Sequence, residues 1–108
     1  HPVFKHIVQE NNGIKIAVTK GSIAKCVFPG KVTKILQGID GTKTVMVKHG
    51  DYFTIYSNLA NTMVTLNQSV SAGTPIGAVG LDFEGNYTLD FQIYDGTGNP
   101  VNPMSWVN

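Results

Sequence analysis

The 108 residues suffice for one small domain and are too few for two separate cores. Hydrophobic residues make up 42% and charged residues 14%, so the chain is able to bury a core and lacks the composition of a disordered segment. A net charge of +1, with eight lysines scattered from Lys5 to Lys48, leaves no basic footprint for nucleic acid, and no apolar run is long enough to span a membrane.

Apolar residues alternate in short runs broken by glycine-containing turns, and no stretch carries a helical period, so the expected class is all-β. Residues 1–10 read as a lead-in. Gly13 to Val18 places Ile14 and Ile16 on one face, with Lys15 between them on the other. Thr19 to Ser22 turns the chain, and Ile23 to Phe28 follows as a strand holding the single cysteine, Cys26, which reads as a small buried residue. Pro29-Gly30 interrupts the ladder, since proline lacks an amide hydrogen, and Lys31 to Leu36 extends again. Gly38 to Thr42 separates that run from Thr44 to Lys48, and His49-Gly50-Asp51 leads into Tyr52 to Tyr56. Val64 to Val70 forms a crossing run, Ile76 to Val79 a short strand and Leu81 to Asn86 a loop. In the long strand Tyr87 to Tyr94, alternation puts Tyr87, Leu89, Phe91 and Ile93 towards the core and Thr88, Asp90, Gln92 and Tyr94 outward. A turn at Asp95 to Pro100 precedes Val101 to Val107, where Trp106 staples the C-terminus to the core.

Several segments, in order, resemble the lysostaphin-like (LytM-type) metallopeptidase domain. They are Asn12-Gly13-Ile14-Lys15-Ile16, Val18-Thr19-Lys20-Gly21-Ser22, Phe28-Pro29-Gly30-Lys31-Val32, Val45 to Gly50, Thr54 to Leu59, Asn67 to Gly77, Thr88 to Ile93 and Asn99 to Pro103. The resemblance runs from about residue 11 to the end and implies a small antiparallel β-sandwich, or barrel-sandwich, over residues 1–108. The Val-x-x-Gly-x-x-Ile-Gly segment also occurs in biotinyl and lipoyl carriers, but Lys43 and Lys48 lack the flanking pattern that carrier-modifying enzymes read.

Active members of that family hold zinc through a His-x-Gly-x-Asp motif and the second His of a His-x-His motif, with a further His in Tyr-x-His-Leu. The resemblance lays the first motif on Asn11 to Lys15, the second on Thr88-Leu89-Asp90 and the third on Tyr56-Ser57-Asn58-Leu59. The former metal and catalytic positions are then Asn11, Lys15, Asn58, Thr88 and Asp90, and only Asp90 retains a charge suited to a cation. His1, His6 and His49 do not replace the missing ligands. The expectation is a domain without zinc or peptidase activity, with a Lys15–Asp90 ion pair where the metal would sit.

Among degenerate relatives, the opening His1-Pro2-Val3, the Tyr56 to Leu59 segment and Asn102 to Trp106 look most like EnvC-type murein hydrolase activators. That likeness implies a periplasmic or cell-envelope domain at the C-terminal part of a longer coiled-coil protein, with a peptidoglycan amidase or other cell-wall hydrolase as partner. A second reading keeps the ancestral ligand: a groove bearing Tyr56, Tyr87, Gln92 and Tyr94 binds peptidoglycan stem peptide without cutting it. A third, residual zinc endopeptidase activity, requires a different ligand alignment.

Overall fold

The computed structural model describes residues 6–10, 13–95 and 100–101. Every element among them is a strand. In chain order these are β1 (His6–Glu10), β2 (Gly13–Val18), β3 (Ile23–Lys25), β4 (Gly30–Gln37) and β5 (Lys43–His49). After them come β6 (Tyr52–Leu59), β7 (Ser69–Val70), β8 (Pro75–Ala78), β9 (Tyr87–Asp95) and β10 (Pro100–Val101). The large sheet runs β1-β2-β9-β6-β5-β4-β7, with β10 also on β9, while β3 and β8 form a second, two-stranded layer. All pairings are antiparallel.

The period-two pattern decides which face of the large sheet is buried. Ile14 and Ile16 of β2, Val45 and Val47 of β5, Tyr56 and Leu59 of β6, and Leu89, Phe91 and Ile93 of β9 are buried, and they pack against Ala24, Cys26, Ile76 and Val79 of the smaller layer and its flanks. The opposite face of the large sheet carries the residues between them. Cys26 is buried and reduced, its thiol donating to the Phe28 carbonyl at 3.0 Å.

Three segments differ from the sequence reading. Residues 6–10, expected as lead-in, form β1 on the edge of the sheet through the ladder from His6↔Ala17 to Glu10↔Gly13. Their pattern is too short and mixed to announce a strand, and β2 is what gives them a partner. The expected strand from Ile23 to Phe28 stops at Lys25, where the β3–β8 register shifts and Cys26 bonds instead to the Thr74 and Gly73 backbone. The run from Val64 to Val70 is mostly a loop held by the Val32–Gln68 and Asn67–Val32 backbone bonds, with only Ser69–Val70 extended. Pro29-Gly30 separates β3 from β4 as expected, while the irregularity within β4 lies between Val32 and Lys34. The expected strand Val101 to Val107 and Trp106 lie outside the described residues beyond Val101.

Candidate functional site

The outward face of the large sheet is ordered in cross-strand rows. In one row β2, β9 and β6 bring Lys15, Asp90 and Ser57 directly opposite one another, and the Thr44 hydroxyl of β5 donates to the Ser57 hydroxyl at 3.3 Å. The next row holds Gln92 and Ile55, with Met46 beside Ile55 on β5. A third joins Tyr94 to Phe53 and Phe53 to Lys48. The face thus grades from charged and hydroxylic to apolar within five residues of β9. At its apolar end a hollow of about 280 Å³ is lined by Met46, Phe53, Ile55, Tyr94 and Asp95.

Lys15 and Asp90 therefore meet in register, as the sequence reading placed them. Directly opposed charges on neighbouring strands contribute about 0.2–1 kcal/mol, enough to bias the row and too little to hold the fold. One Asp90 oxygen, Oδ1, is shielded from solvent. Lys15 also faces a second carboxylate across a cleft of about 450 Å³, whose lining includes Lys15, Asp82, Glu84, Asn86, Tyr87 and Thr88. The Asp82 carboxyl is held below the ordinary carboxylate range, chiefly by the Asn86 amide, with the Glu84 amide and the Lys15 charge adding to it.

Asn58 and Thr88 form the end wall of this row. Asn58 adopts φ 64°, a left-handed conformation that asparagine tolerates better than most residues. Its Nδ2 donates to the Thr88 carbonyl at 2.7 Å and to the Gly80 carbonyl at 3.1 Å. The side chain therefore clamps the start of β9 to the segment after β8. Thr88 is buried beneath that clamp, and its hydroxyl reaches Asp82 Oδ2 at 3.5 Å.

The four expected ligand-facing residues divide between the two faces. Gln92 and Tyr94 lie with Lys15 and Asp90 on the outward face, as alternation requires. Tyr56 does not: it is only 1% exposed, its ring lies 5.4 Å from that of Phe91 inside the core, and its hydroxyl is used by Thr54 and the Val27 amide. The correction follows from β6 pairing Tyr56 with Phe91, which turns it inward. Tyr87 is half-buried, packing on the core and lining the cleft beside Lys15. Asn11 lies outside the described residues. Ser57, Thr44, Met46, Phe53 and Ile55 were not singled out from the sequence. The signal for them was strand alternation, but it acquires meaning only once β6 is known to lie beside β9.

With this geometry, residues 9–103 match the model of peptidase family M23. The chain is an M23-family domain. It is 29% identical over 110 residues to an uncharacterized metalloprotease of Haemophilus influenzae, covering 97% of this chain and 22% of that protein. It is 33% identical over 85 residues to the uncharacterized lipoprotein YgeR of Escherichia coli, covering 77% of this chain and 34% of that one. The chain thus spans about a fifth and a third of the length of these curated relatives. A crystal structure of a putative peptidase M23 from Pseudomonas aeruginosa superposes with a TM-score of 0.82 at 25% identity, covering 97% of this chain and 48% of that chain. A zinc-containing peptidase from Vibrio cholerae superposes with a TM-score of 0.76 at 26% identity, covering 86% and 29%. The catalytic domain of lysostaphin from Staphylococcus simulans, at 20% identity and TM-score 0.73 over 88% and 77% of the two chains, shares the fold.

M23 peptidases are usually zinc-dependent, and the outward row provides the test of fit. A catalytic zinc takes three protein ligands bearing lone pairs and a water. The Lys15 ammonium has no lone pair to offer, the Asn58 amide nitrogen and the Thr88 hydroxyl are neutral and occupied in structural bonds, and of these four positions only Asp90 is an anionic donor. Among the described residues no group of three or more His, Cys, Asp or Glu side chains could hold a metal ion. Among the described residues, those that the family likeness lays on the ligand positions do not make up the donor set of a catalytic zinc. No helix among the described residues is long and apolar enough to cross a membrane.

Proposed function

We propose that this M23-family domain is a non-catalytic regulator of cell-wall hydrolysis that binds a peptidoglycan amidase in the cell envelope and activates it. The observation that carries the non-catalytic part is the Lys15–Asp90 register: a fixed cation stands directly across from the one acidic donor of the row. The Lys15 ammonium opposes a divalent ion and offsets the Asp90 charge that would attract one, and without a bound metal no water is acidified towards neutral pH for attack on a peptide bond. A scaffold that keeps the family's sheet and site wall without that chemistry is suited to binding. The amidase is suggested by the sequence likeness of His1 to Val3, Tyr56 to Leu59 and Asn102 to Trp106 to EnvC-type activators, and the same likeness together with the lipoprotein relative supports a periplasmic location.

The test uses the protein purified without chelators. The expected result is no stoichiometric zinc by elemental analysis, no dye release from labelled sacculi by the protein alone, and faster release when a peptidoglycan amidase is added. Stoichiometric zinc with dye release in the absence of an amidase overturns the proposal and restores the endopeptidase reading.

A second reading, peptidoglycan stem-peptide binding without hydrolysis, is favoured by the cleft itself. Its lining has both signs of charge in Lys15, Asp82 and Glu84, which suits a short peptide with amino and carboxyl groups. Sedimentation with intact sacculi separates the two, since the regulator remains in solution and the peptide-binding module pellets.

A further inference from the structure

The loop Leu81–Asn86, between β8 and β9, carries an exposed aromatic on an unusually well-tied frame. Phe83 is 101% exposed and Leu81 51% exposed, which leaves two large apolar side chains in water two residues apart on one loop. The frame is organised by Asp82. Its Oδ1 accepts from the amides of Glu84 and Asn86, both at 2.9 Å, its own amide donates to the Asn86 carbonyl at 2.8 Å, and its carbonyl accepts from Gly85 at 3.2 Å. Gly85 supplies the left-handed corner at φ 83°, and a Leu81↔Tyr87 bridge closes the base. The side chain that is left in water is thus mounted on a braced turn, a combination that lowers the ordering cost of association.

Charge indicates what covers it. Between residues 49 and 108 the sequence contains five carboxylates and no Lys or Arg, and two of those carboxylates, Asp82 and Glu84, flank Phe83 directly. Lys15 offsets Asp82 across the cleft, so Glu84 is the carboxylate that the loop adds to the aromatic tip. An anionic bilayer or an anionic wall polymer is repelled by such a tip, whereas an apolar socket edged by a basic side chain is complementary to it.

We propose that the Leu81–Asn86 loop is the docking element of this domain, with Phe83 seated in an apolar socket on a partner protein and Glu84 meeting a Lys or Arg at the socket's rim. The inference rests on the regulator reading and specifies which surface of the domain engages the amidase. Aromatic anchors of this kind carry most of the energy of a protein–protein contact, and the neighbouring cleft extends the surface without a break.

The test measures binding of the full domain to each purified peptidoglycan amidase of the host in turn by calorimetry, with phosphatidylglycerol vesicles as a parallel probe. Phe83→Ala is expected to weaken amidase binding at least about tenfold, as for a central aromatic anchor. Glu84→Lys is expected to weaken it as well, by placing like charge at a basic rim. Ile39 is a control for nonspecific adhesion: it is 110% exposed on the Gly38–Thr42 turn at the same end of the sheet, and Ile39→Ala is expected to leave affinity within about twofold, as for near-neutral contacts. Because Phe83 and Ile39 bury nothing, both variants keep the wild-type circular dichroism and melting temperature. Wild-type binding that survives Phe83→Ala overturns the docking assignment and leaves the regulator intact. Wild-type failure to bind any amidase overturns both. Tighter binding by Glu84→Lys, equal weakening by Ile39→Ala, or Phe83-dependent binding to the vesicles also overturns the docking assignment.

Discussion

Tyr56 joins two parts of the molecule through one hydroxyl. It accepts from the Val27 amide at 3.3 Å and lies 3.2 Å from Thr54 Oγ1, which is 2.7 Å from His49 Nε2. The other ring nitrogen, Nδ1, lies 2.8 Å from the Pro29 carbonyl, an acceptor only, so Nδ1 carries the hydrogen. This chain of contacts ties β6 to the break before β4 and to Cys26, whose sulfur lies 3.8 Å from the phenol oxygen. Tyr56→Phe keeps the ring packing but strands the Val27 amide, and it is expected to cost about 1–2 kcal/mol in urea unfolding. Burial, then the electrostatic influence of the neighbouring Cys26, pushes the phenol's pKa well above its ordinary value. A raised folded-state pKa means the fold favours the neutral phenol. That stability is complete below about pH 10 and is lost as pH rises further, because the unfolded chain ionises there first. Denaturation midpoints between about pH 9 and 11 should therefore fall more steeply in the wild type than in Tyr56→Phe. A parallel decline would show that the phenol ionises over the same pH range in both states, so that burial does not raise its pKa. That Tyr56 points inward was not legible in the sequence: the residue heads a family-like Tyr-Ser-Asn-Leu segment, and only the β6–β9 register turns its ring to the core. For Asp90 and Gln92 the alternation of β9 was sufficient, because core neighbours flank each of them.

Elements show the same division. The strands β2, β5, β6 and β9 were readable because each alternates over at least five residues next to a turn containing glycine. β1 and β7 were not, because five mixed residues and two residues carry no period of their own and extend only where a neighbour completes their ladder. β8 is short for a related reason. It is pressed against the Asn61 segment, with the Met63 amide donating to the Ile76 carbonyl at 2.8 Å and the Ala78 amide to Asn61 Oδ1 at 3.0 Å. A Cβ on Gly77 would collide with the Asn61 carbonyl oxygen, which is backbone and cannot swing aside. Gly77→Ala is therefore expected to destabilise the domain by about 1–3 kcal/mol, the usual range for overpacking, as measured by the shift in urea midpoint. An unchanged midpoint would mean that the Asn61 segment yields freely and that β8 is not clamped.

For the whole molecule, the large sheet is assembled from distant parts of the chain: β2 ends at Val18, β9 begins at Tyr87, and the two pair from Gly13↔Gln92 to Val18↔Tyr87. Closing loops of that length before any pairing is gained makes folding slow, so refolding is expected on a millisecond-to-second timescale, measurable by stopped-flow circular dichroism. A microsecond phase that accounts for the whole amplitude would contradict this topology. The site has the same origin, since Lys15 and Asp90 are far apart in sequence and meet only because β2 and β9 are neighbours. By itself the sequence determined the strand class, the alternation that separates core from surface on each long strand, the family likeness, and which residue types fall where that likeness lays the ligand motifs. These are local properties, set by backbone geometry and by which side chains carry lone pairs. Only the tertiary structure decided which face each row joins, the register that sets the expected Lys15 and Asp90 directly opposite each other, that Tyr56 is core, and that Phe83 stands on a braced turn at the sheet's end. Each of those depends on strand order and register, which arise from burying one shared core and not from any single segment.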